Sequence, residues 1–355
     1  MALTLHVNGD RWRSHLTDVL ARNPGLVPVV KGNGYGFGLH RLARKAAWLG
    51  VDTLAVGTYD ELAQVDRRYD GSLLVLTPWR PFAGAPADPR VIHTVGRLED
   101  LEALSEQGRS TGQRPRVVLE RMTSMLRHGF SAKGLREAGR ATADGHGVEV
   151  EGVALHLPLA KISHLSEVDR LMTDVVAAGL DKRGEASRTI WVSHLTDAEL
   201  ATLAARYPDF TFRPRIGTSL WLGDRGALSV RSTVLDSHPV ERGDTYGYRG
   251  RSAPRAGTIL VVSGGTSHGI GLEAPTGDAT LKARAASIAR GGLDAAGFVR
   301  SPYTVGGKQR LFAEPPHMQA SMLFIPAGSA VPAVGDEVEC RVRFTATTFD
   351  AVELS

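Results

Sequence analysis

From Val27 to Gly217 the sequence alternates between two textures, and this alternation limits the possible folds more than any other feature of the chain. Eight short apolar or β-branched runs recur there: Val27 to Lys31, Thr53 to Val56, Ser72 to Thr77, Val91 to Val95, Arg116 to Glu120, Gly152 to Leu157, Thr189 to Ser193 and Thr211 to Arg215. Helical patterns fill most of the gaps, at His40 to Leu49, Asp60 to Arg68, Leu98 to Gln107, Leu165 to Ala178 and Ala198 to Arg206. Strands covered on both faces read as uninterrupted apolar runs, and helices between them favour parallel pairing. Eight such units within roughly 200 residues predict a closed (β/α)8 barrel, a TIM-type fold. After about Gly226 the texture changes to strand-like segments broken by glycine, proline and serine, at Ser229 to Leu235, Thr258 to Ser263, Ala320 to Pro326 and Glu337 to Phe344. The expected division is therefore a barrel over 8–225 and a C-terminal β-rich domain over 226–355. Leu3 to Val7 also alternates in strand fashion, and Leu281 to Gly292 reads as a short helix or a loop.

Composition excludes several classes of function. With 355 residues, 42% of them apolar, the chain has material for two cores. No apolar run approaches the roughly 18 residues of a membrane-spanning helix, and the N-terminus lacks the charged start and apolar core of a signal peptide, so a cytoplasmic protein is expected. One cysteine, Cys340, leaves no internal disulfide and no multi-cysteine metal site. The net charge of +4 and pI near 9.3 come from 42 basic residues, seven of them lysines, spread along the chain. No basic run interleaved with aromatics marks a nucleic-acid surface, while mild basicity suits anionic small molecules.

In a barrel of this kind the chemistry gathers at the C-terminal ends of the strands. Lys31, Arg127, His156, Ser193 and Arg215 all fall at or just after such ends. The first run is the most informative, because Val29-Val30-Lys31-Gly32-Asn33-Gly34-Tyr35-Gly36-Phe37-Gly38 ends a strand on a lysine and follows it with small and turn-forming residues. A strand delivers the amine to a fixed point, and glycines let a cofactor approach the backbone. Tyr35, four residues on, comes within reach of a phosphate if the segment turns helical.

This stretch resembles the V-V-K-A-N-A-Y-G-H-G signature of the alanine racemases, fold type III enzymes that use pyridoxal 5'-phosphate, with glycine at 32 and 34 and Phe37 in place of the histidine. The resemblance implies that Lys31 forms the aldimine with the cofactor, that Tyr35 binds its phosphate, and that the first strand, 1–7, belongs to the β-domain. A second stretch, Leu119 to Phe130, is similar to the family's V-K-x-D-T-G-M-x-R-x-G-F and puts Arg127 near the substrate carboxylate, where a guanidinium fork can bind through two parallel hydrogen bonds. Glu120 takes the place of a family lysine that is often carbamylated, and so can supply that negative charge directly. Glu151-Gly152-Val153-Ala154-Leu155-His156-Leu157 resembles E-G-I-x-T-H-F and sets His156 against the pyridine ring. Ile190 to His194 stands where the family ends a segment in Asn-Ser, so either Ser193 or His194 donates to the phosphate. Arg213 to Gly223 resembles V-R-P-G-I-A-L-Y-G, which sets Arg215 at the pyridine nitrogen and Gly217 and Thr218 at the phosphate. A permanently charged arginine keeps that nitrogen unprotonated and biases the site toward simple proton transfer at Cα.

The family pattern breaks in the β-domain. Racemisation requires an acid or base on each face of the substrate, and the family's second group is a tyrosine from the partner subunit, in a G-Y-A-D-G motif. Here the segment is Val261 to Gly269, with Gly265 in the tyrosine's place. His268 is the first candidate to replace it, and Tyr246, Tyr248, Tyr303 and His317 are further ones. Met318 matches a methionine near the substrate carboxylate. The resemblance as a whole implies a homodimeric amino-acid racemase without a metal. Two alternatives are a pyridoxal-phosphate-binding protein that does not turn over and another reaction on the same cofactor.

Overall fold

The computed structural model describes residues 2–159, 163–272 and 299–355. The stretch 281–292, read above as helix or loop, lies outside them. After β1 (Leu3–Val7) and α1 (Gly9–Arg22) come eight parallel strands that close into a barrel: β2 (Val27–Val30), β3 (Thr53–Val56), β4 (Ser72–Val75), β5 (Val91–Val95), β6 (Arg116–Arg121), β7 (Glu149–His156), β8 (Thr189–Ser193) and β9 (Thr211–Ile216). The ring is sealed where Val27 of β2 pairs with Arg215 of β9. Helices α2 (Leu39–Leu49), α3 (Leu62–Val65), α4 (Leu98–Thr111), α5 (Ala132–Ala141), α6 (His164–Ala177) and α7 (Asp197–Arg206) run between the strands, and α8 (Thr218–Trp221) follows the last of them. The predicted barrel is thus borne out.

Inward-facing side chains from alternating positions fill the barrel: Val27, Val29, Ala55, Leu74, Ile92, Val118, Ala154 and Trp191 form one buried cluster. Layers of branched side chains make such an interior a packed core rather than a pore. Both faces of each strand are covered, which is why β2, β3 and β5 are buried at every residue. Trp221 of α8 donates its indole N–H to the Val29 carbonyl at 2.8 Å, fastening the segment after β9 onto the strand that ends at Lys31.

The remaining strands are antiparallel: β10 (Leu228–Val240), the small pair β11 (Thr245–Tyr246) and β12 (Arg251–Ser252), β13 (Gly257–Ser263), β14 (Arg300–Val305), β15 (Lys308–Phe312), β16 (Ala320–Pro326), β17 (Glu337–Cys340) and β18 (Ala351–Leu354). Their main sheet runs β13-β16-β15-β14-β17-β10-β1-β18, and β13 also pairs with β10, so six strands form a ring that β1 and β18 extend. Burial alternates along β10 and β16, as expected when one face packs inward and the other meets solvent. By packing, the chain divides into two compact units, Met1–Trp12 with Tyr35–Phe37 and Asp224–Ser355 in one, Arg13–Gly34 with Gly38–Gly223 in the other. No helix among the described residues is long and apolar enough to cross a membrane.

Candidate active site

At the mouth of the barrel, Glu120 of β6, His156 of β7, Ser193 of β8 and Arg215 of β9 occupy the last residues of successive strands or the ones before them, and Lys31 directly follows β2. Their electrostatics show that the structure gathers these side chains. The Lys31 amine is depressed below the usual lysine value, first by the protein packed around it and then by Arg127 and Arg215, with Glu61 acting in the opposite direction. Its side chain is nonetheless exposed by area, so the depression arises at an open mouth rather than in a sealed core. His156 is pushed down to about 3 by burial and by Arg215, Arg127, His194 and Lys31, and is neutral at physiological pH.

Two atoms at this mouth lack hydrogen-bond partners among the described residues. Arg215 is 6% exposed and donates through Nη2 to the Leu155 carbonyl at 3.2 Å, while its Nε has no hydrogen-bond partner. Glu120 is 3% exposed, and its Oε2 is likewise unsatisfied. Burial raises the Glu120 carboxyl and Arg215 and Arg127 pull it back; burial lowers Arg215 to about 10, which leaves it a cation at neutral pH. An orphaned buried donor is costly in a finished protein. It suits a site that expects an acceptor such as a ring nitrogen.

Arg127 lies in the loop after β6, is exposed, and makes no hydrogen bond or ion pair among the described residues. The loop itself is bolted down. The Thr123 hydroxyl donates to the His156 carbonyl at 2.7 Å, and the buried carboxylate of Glu167 accepts from the Ser124 N–H at 2.6 Å and the Ser124 hydroxyl at 3.0 Å. Leu126, next to the arginine, has φ 53, a left-handed conformation that a leucine seldom adopts.

Ser193 and His194 can be distinguished. A carbonyl only accepts, so the 2.6 Å contact from His194 Nδ1 to the Leu157 oxygen requires the hydrogen on Nδ1, and a neutral His194 presents a bare lone pair at Nε2. Burial lowers its pKa, favouring that neutral form. Ser193 Oγ lies 2.9 Å from His156 Nδ1, and a hydrogen on that nitrogen leaves the serine its own hydrogen to give. With His156 protonated on Nδ1, Ser193 is the better donor. Gly217 and Thr218 follow Arg215 at the start of α8, with Thr218 exposed. Tyr35 sits in a single 3-10 turn, Gly34–Gly36, with φ 55, rather than in a regular helix, and is 5% exposed.

The β-domain candidates look different. His268 is buried, its Nδ1 accepts from the Gly265 N–H at 3.2 Å, and its Nε2 faces Asp350 Oδ1 at 3.1 Å. Both nitrogens are occupied, and the ring caps its own loop. Gly265 leaves no room for the family's tyrosine: a Cβ there would lie 2.1 Å from the His317 carbonyl oxygen. Tyr303 is fully buried and donates to the Ser263 and Gly264 carbonyls. His317 bonds to buried Glu314 through Nε2 at 2.7 Å, beneath the ring of exposed Tyr248. Met318 is 72% exposed, and its carbonyl accepts from Ser267.

Glu61, at the mouth, escaped the sequence reading. Glu61 accepts from the Gly32 N–H at 2.7 Å through Oε1, and from the Gly57 and Thr58 N–H groups at 2.6 and 3.3 Å through Oε2. Thr58-Tyr59-Asp60-Glu61 spells a capping box, a signal that was available.

Residues 7–222 match the family model for the alanine racemase N-terminal domain. An alanine racemase of Salinispora arenicola is 30% identical over 265 residues, covering 69% of this chain and 69% of that protein. Among solved structures, an alanine racemase from Bartonella henselae with covalently bound pyridoxal phosphate superposes with a TM-score of 0.69 at 16% identity, over 98% of each chain. A histidine racemase from Leuconostoc mesenteroides gives 0.69 at 18% identity, over 100% of this chain and 97% of that one.

Proposed function

This chain belongs to the alanine racemase family, and on that premise we propose that it is a pyridoxal-phosphate-dependent amino-acid racemase whose cofactor is anchored at Lys31. The observation that carries the reading is the pairing of a depressed lysine amine with a buried arginine whose Nε has no partner, at the mouth of one barrel. When bound, pyridoxal phosphate supplies an aldehyde to the lysine and an electron-withdrawing ring that acidifies the substrate's Cα–H. Arg215, still charged at neutral pH, would face the ring nitrogen and hold it as an acceptor. His156, kept neutral, would pack against the ring. Ser193, Gly217 and Thr218 would hold the phosphate, with His194 beside them, and Tyr35 keeps the phosphate role that the family resemblance implies. Arg127 would clamp the substrate carboxylate. Lys31 Nζ would take the Cα proton on one face, a role that a lowered pKa favours.

The opposite face needs a second acid or base, which we assign to the β-domain of a partner subunit in a homodimer. His268 is the group nominated by sequence, and to serve it has to release Asp350 or Gly265. Blocked Gly265 and the doubly engaged His268 favour a second reading, in which the cofactor binds and one face exchanges protons without inversion.

Incubation with L- and D-alanine, serine, lysine and histidine in heavy water separates the readings. A racemase incorporates deuterium at Cα with inversion, a one-base site exchanges with retention, and a carrier exchanges nothing. A polypeptide that develops no yellow chromophore with pyridoxal phosphate, and no borohydride-trapped adduct at Lys31, sinks all of them.

A further inference from the structure

We propose that Glu61 is a positioning residue for Lys31: its carboxylate ties the backbone next to the lysine to the end of the neighbouring strand and holds a negative charge beside the amine. The inference rests on Lys31 being the reacting amine. The three N–H groups that Glu61 receives, from Gly32, Gly57 and Thr58, lie where the chain leaves β2 and β3 and the sheet ladder ends. Backbone donors in that position need other partners, and one carboxylate with two oxygens supplies all three. The loop after Lys31 is thereby cross-linked to the loop after β3 through the residue that ends the short turn Tyr59–Glu61 and precedes α3.

Gly57 completes the arrangement. A Cβ at that position would lie 3.0 Å from the Lys31 Cβ and 2.9 Å from Glu61 Oε2, so the absence of a side chain lets lysine and carboxylate share one corner of the mouth. The other charged groups facing Lys31 are Arg127 and Arg215, which drive a proton off the amine, while His156 and His194 face it as neutral rings. Glu61 is the anion that opposes the arginines. An amine that has to attack a carbonyl as a free base and then carry a proton works best at an intermediate pKa, and the balance between two arginines and one carboxylate sets it.

The test uses cofactor-free protein, so it does not depend on turnover. Lys31 is acetylated with a brief pulse of acetic anhydride across a pH series and quantified by peptide mass spectrometry, and amide hydrogen exchange is followed over residues 31–38. Glu61→Gln removes the charge and one oxygen acceptor. The expected results are a reactivity midpoint at lower pH and exchange at Gly32 faster by about fivefold, as for loss of one net hydrogen bond. A folded variant in which either quantity stays at the wild-type value overturns the proposal. If Glu61→Gln does not fold, Glu61→Asp, whose shorter stem falls short of Gly32, is read by exchange alone, and an unchanged rate at Gly32 overturns it. Failure of cofactor trapping at Lys31 would count against the proposed function, whereas these two readouts bear on Glu61 alone.

Discussion

The barrel mouth and the β-domain loops hold similar side chains, histidines, carboxylates and tyrosines, and treat them in opposite ways. At the mouth, Arg215 Nε and Glu120 Oε2 are buried without partners, Lys31 is held off its ordinary pKa, and Leu126 is bent into a left-handed turn. In the β-domain, His268, Tyr303 and Glu314 each spend their hydrogen-bonding capacity on their own unit. Unspent polar capacity marks a place prepared for a ligand, and fully spent capacity marks a scaffold. By this criterion the family's chemistry is supported at the mouth and weakest at its second acid or base.

The contrast can be broken most decisively at Lys31. Lys31→Ala is expected to abolish both the yellow chromophore and the borohydride-trapped adduct, read by absorbance and peptide mapping, while leaving the fold intact; an adduct on another lysine would move the site. A matched pair of glycine substitutions comes next. Gly265→Ala drives a methyl into the His317 carbonyl and is expected to cost about 3 kcal/mol in denaturant unfolding. Gly32→Ala meets no atom within 4 Å and should cost only about 1 kcal/mol, from its φ of +60°. Equal costs would remove the distinction between packed scaffold and open mouth.

Acid sharpens the comparison further. Burial lowers His93 to about 4 from 6.5, and His156 goes to about 3, so both are neutral when folded and bind protons more readily when unfolded. The stability this contributes is complete above pH 6.5 and is lost as pH falls toward those values. His93→Gln should flatten that acid limb in a series of thermal melts, at the expense of the 2.8 Å bond to Tyr59. An equally small effect is expected at His268→Ala: about 1 kcal/mol of stability from the lost Asp350 contact. If the same variant also turned inversion at Cα into retention in heavy water, His268 would be the second base after all.

Much of the fold was legible because parallel strands buried on both faces need continuous apolar runs, and all eight barrel strands were found within a few residues of their ends. α1 and α5 were not. α5, Ala-Lys-Gly-Leu-Arg-Glu-Ala-Gly-Arg-Ala, carries Gly134 and Gly139 inside it, and by propensity two glycines argue against a helix. β14 and β15 hide behind Pro302 and short runs, although the Gly306-Gly307 turn between them is an ordinary hairpin signal. At the site, residues that fill one place in a motif were legible in sequence. Glu61, Glu167 and Thr123 were missed because they work by holding backbone atoms distant in sequence, which only the folded chain brings into range.

The pairing of β1 sets an order of assembly. Each barrel strand finds its neighbour one unit away along the chain, apart from the closing contact of β2 with β9. β1, made first, takes as its two partners β10, with Leu3 opposite Ser232, and β18, with Thr4 opposite Ala351. Closing loops of that length is entropically slow. During synthesis β1 therefore waits until both β10 and β18 have been made. Its hydrogen-bonding edges stay open until then, which leaves it exposed to wrong strand partners for longer than the barrel strands.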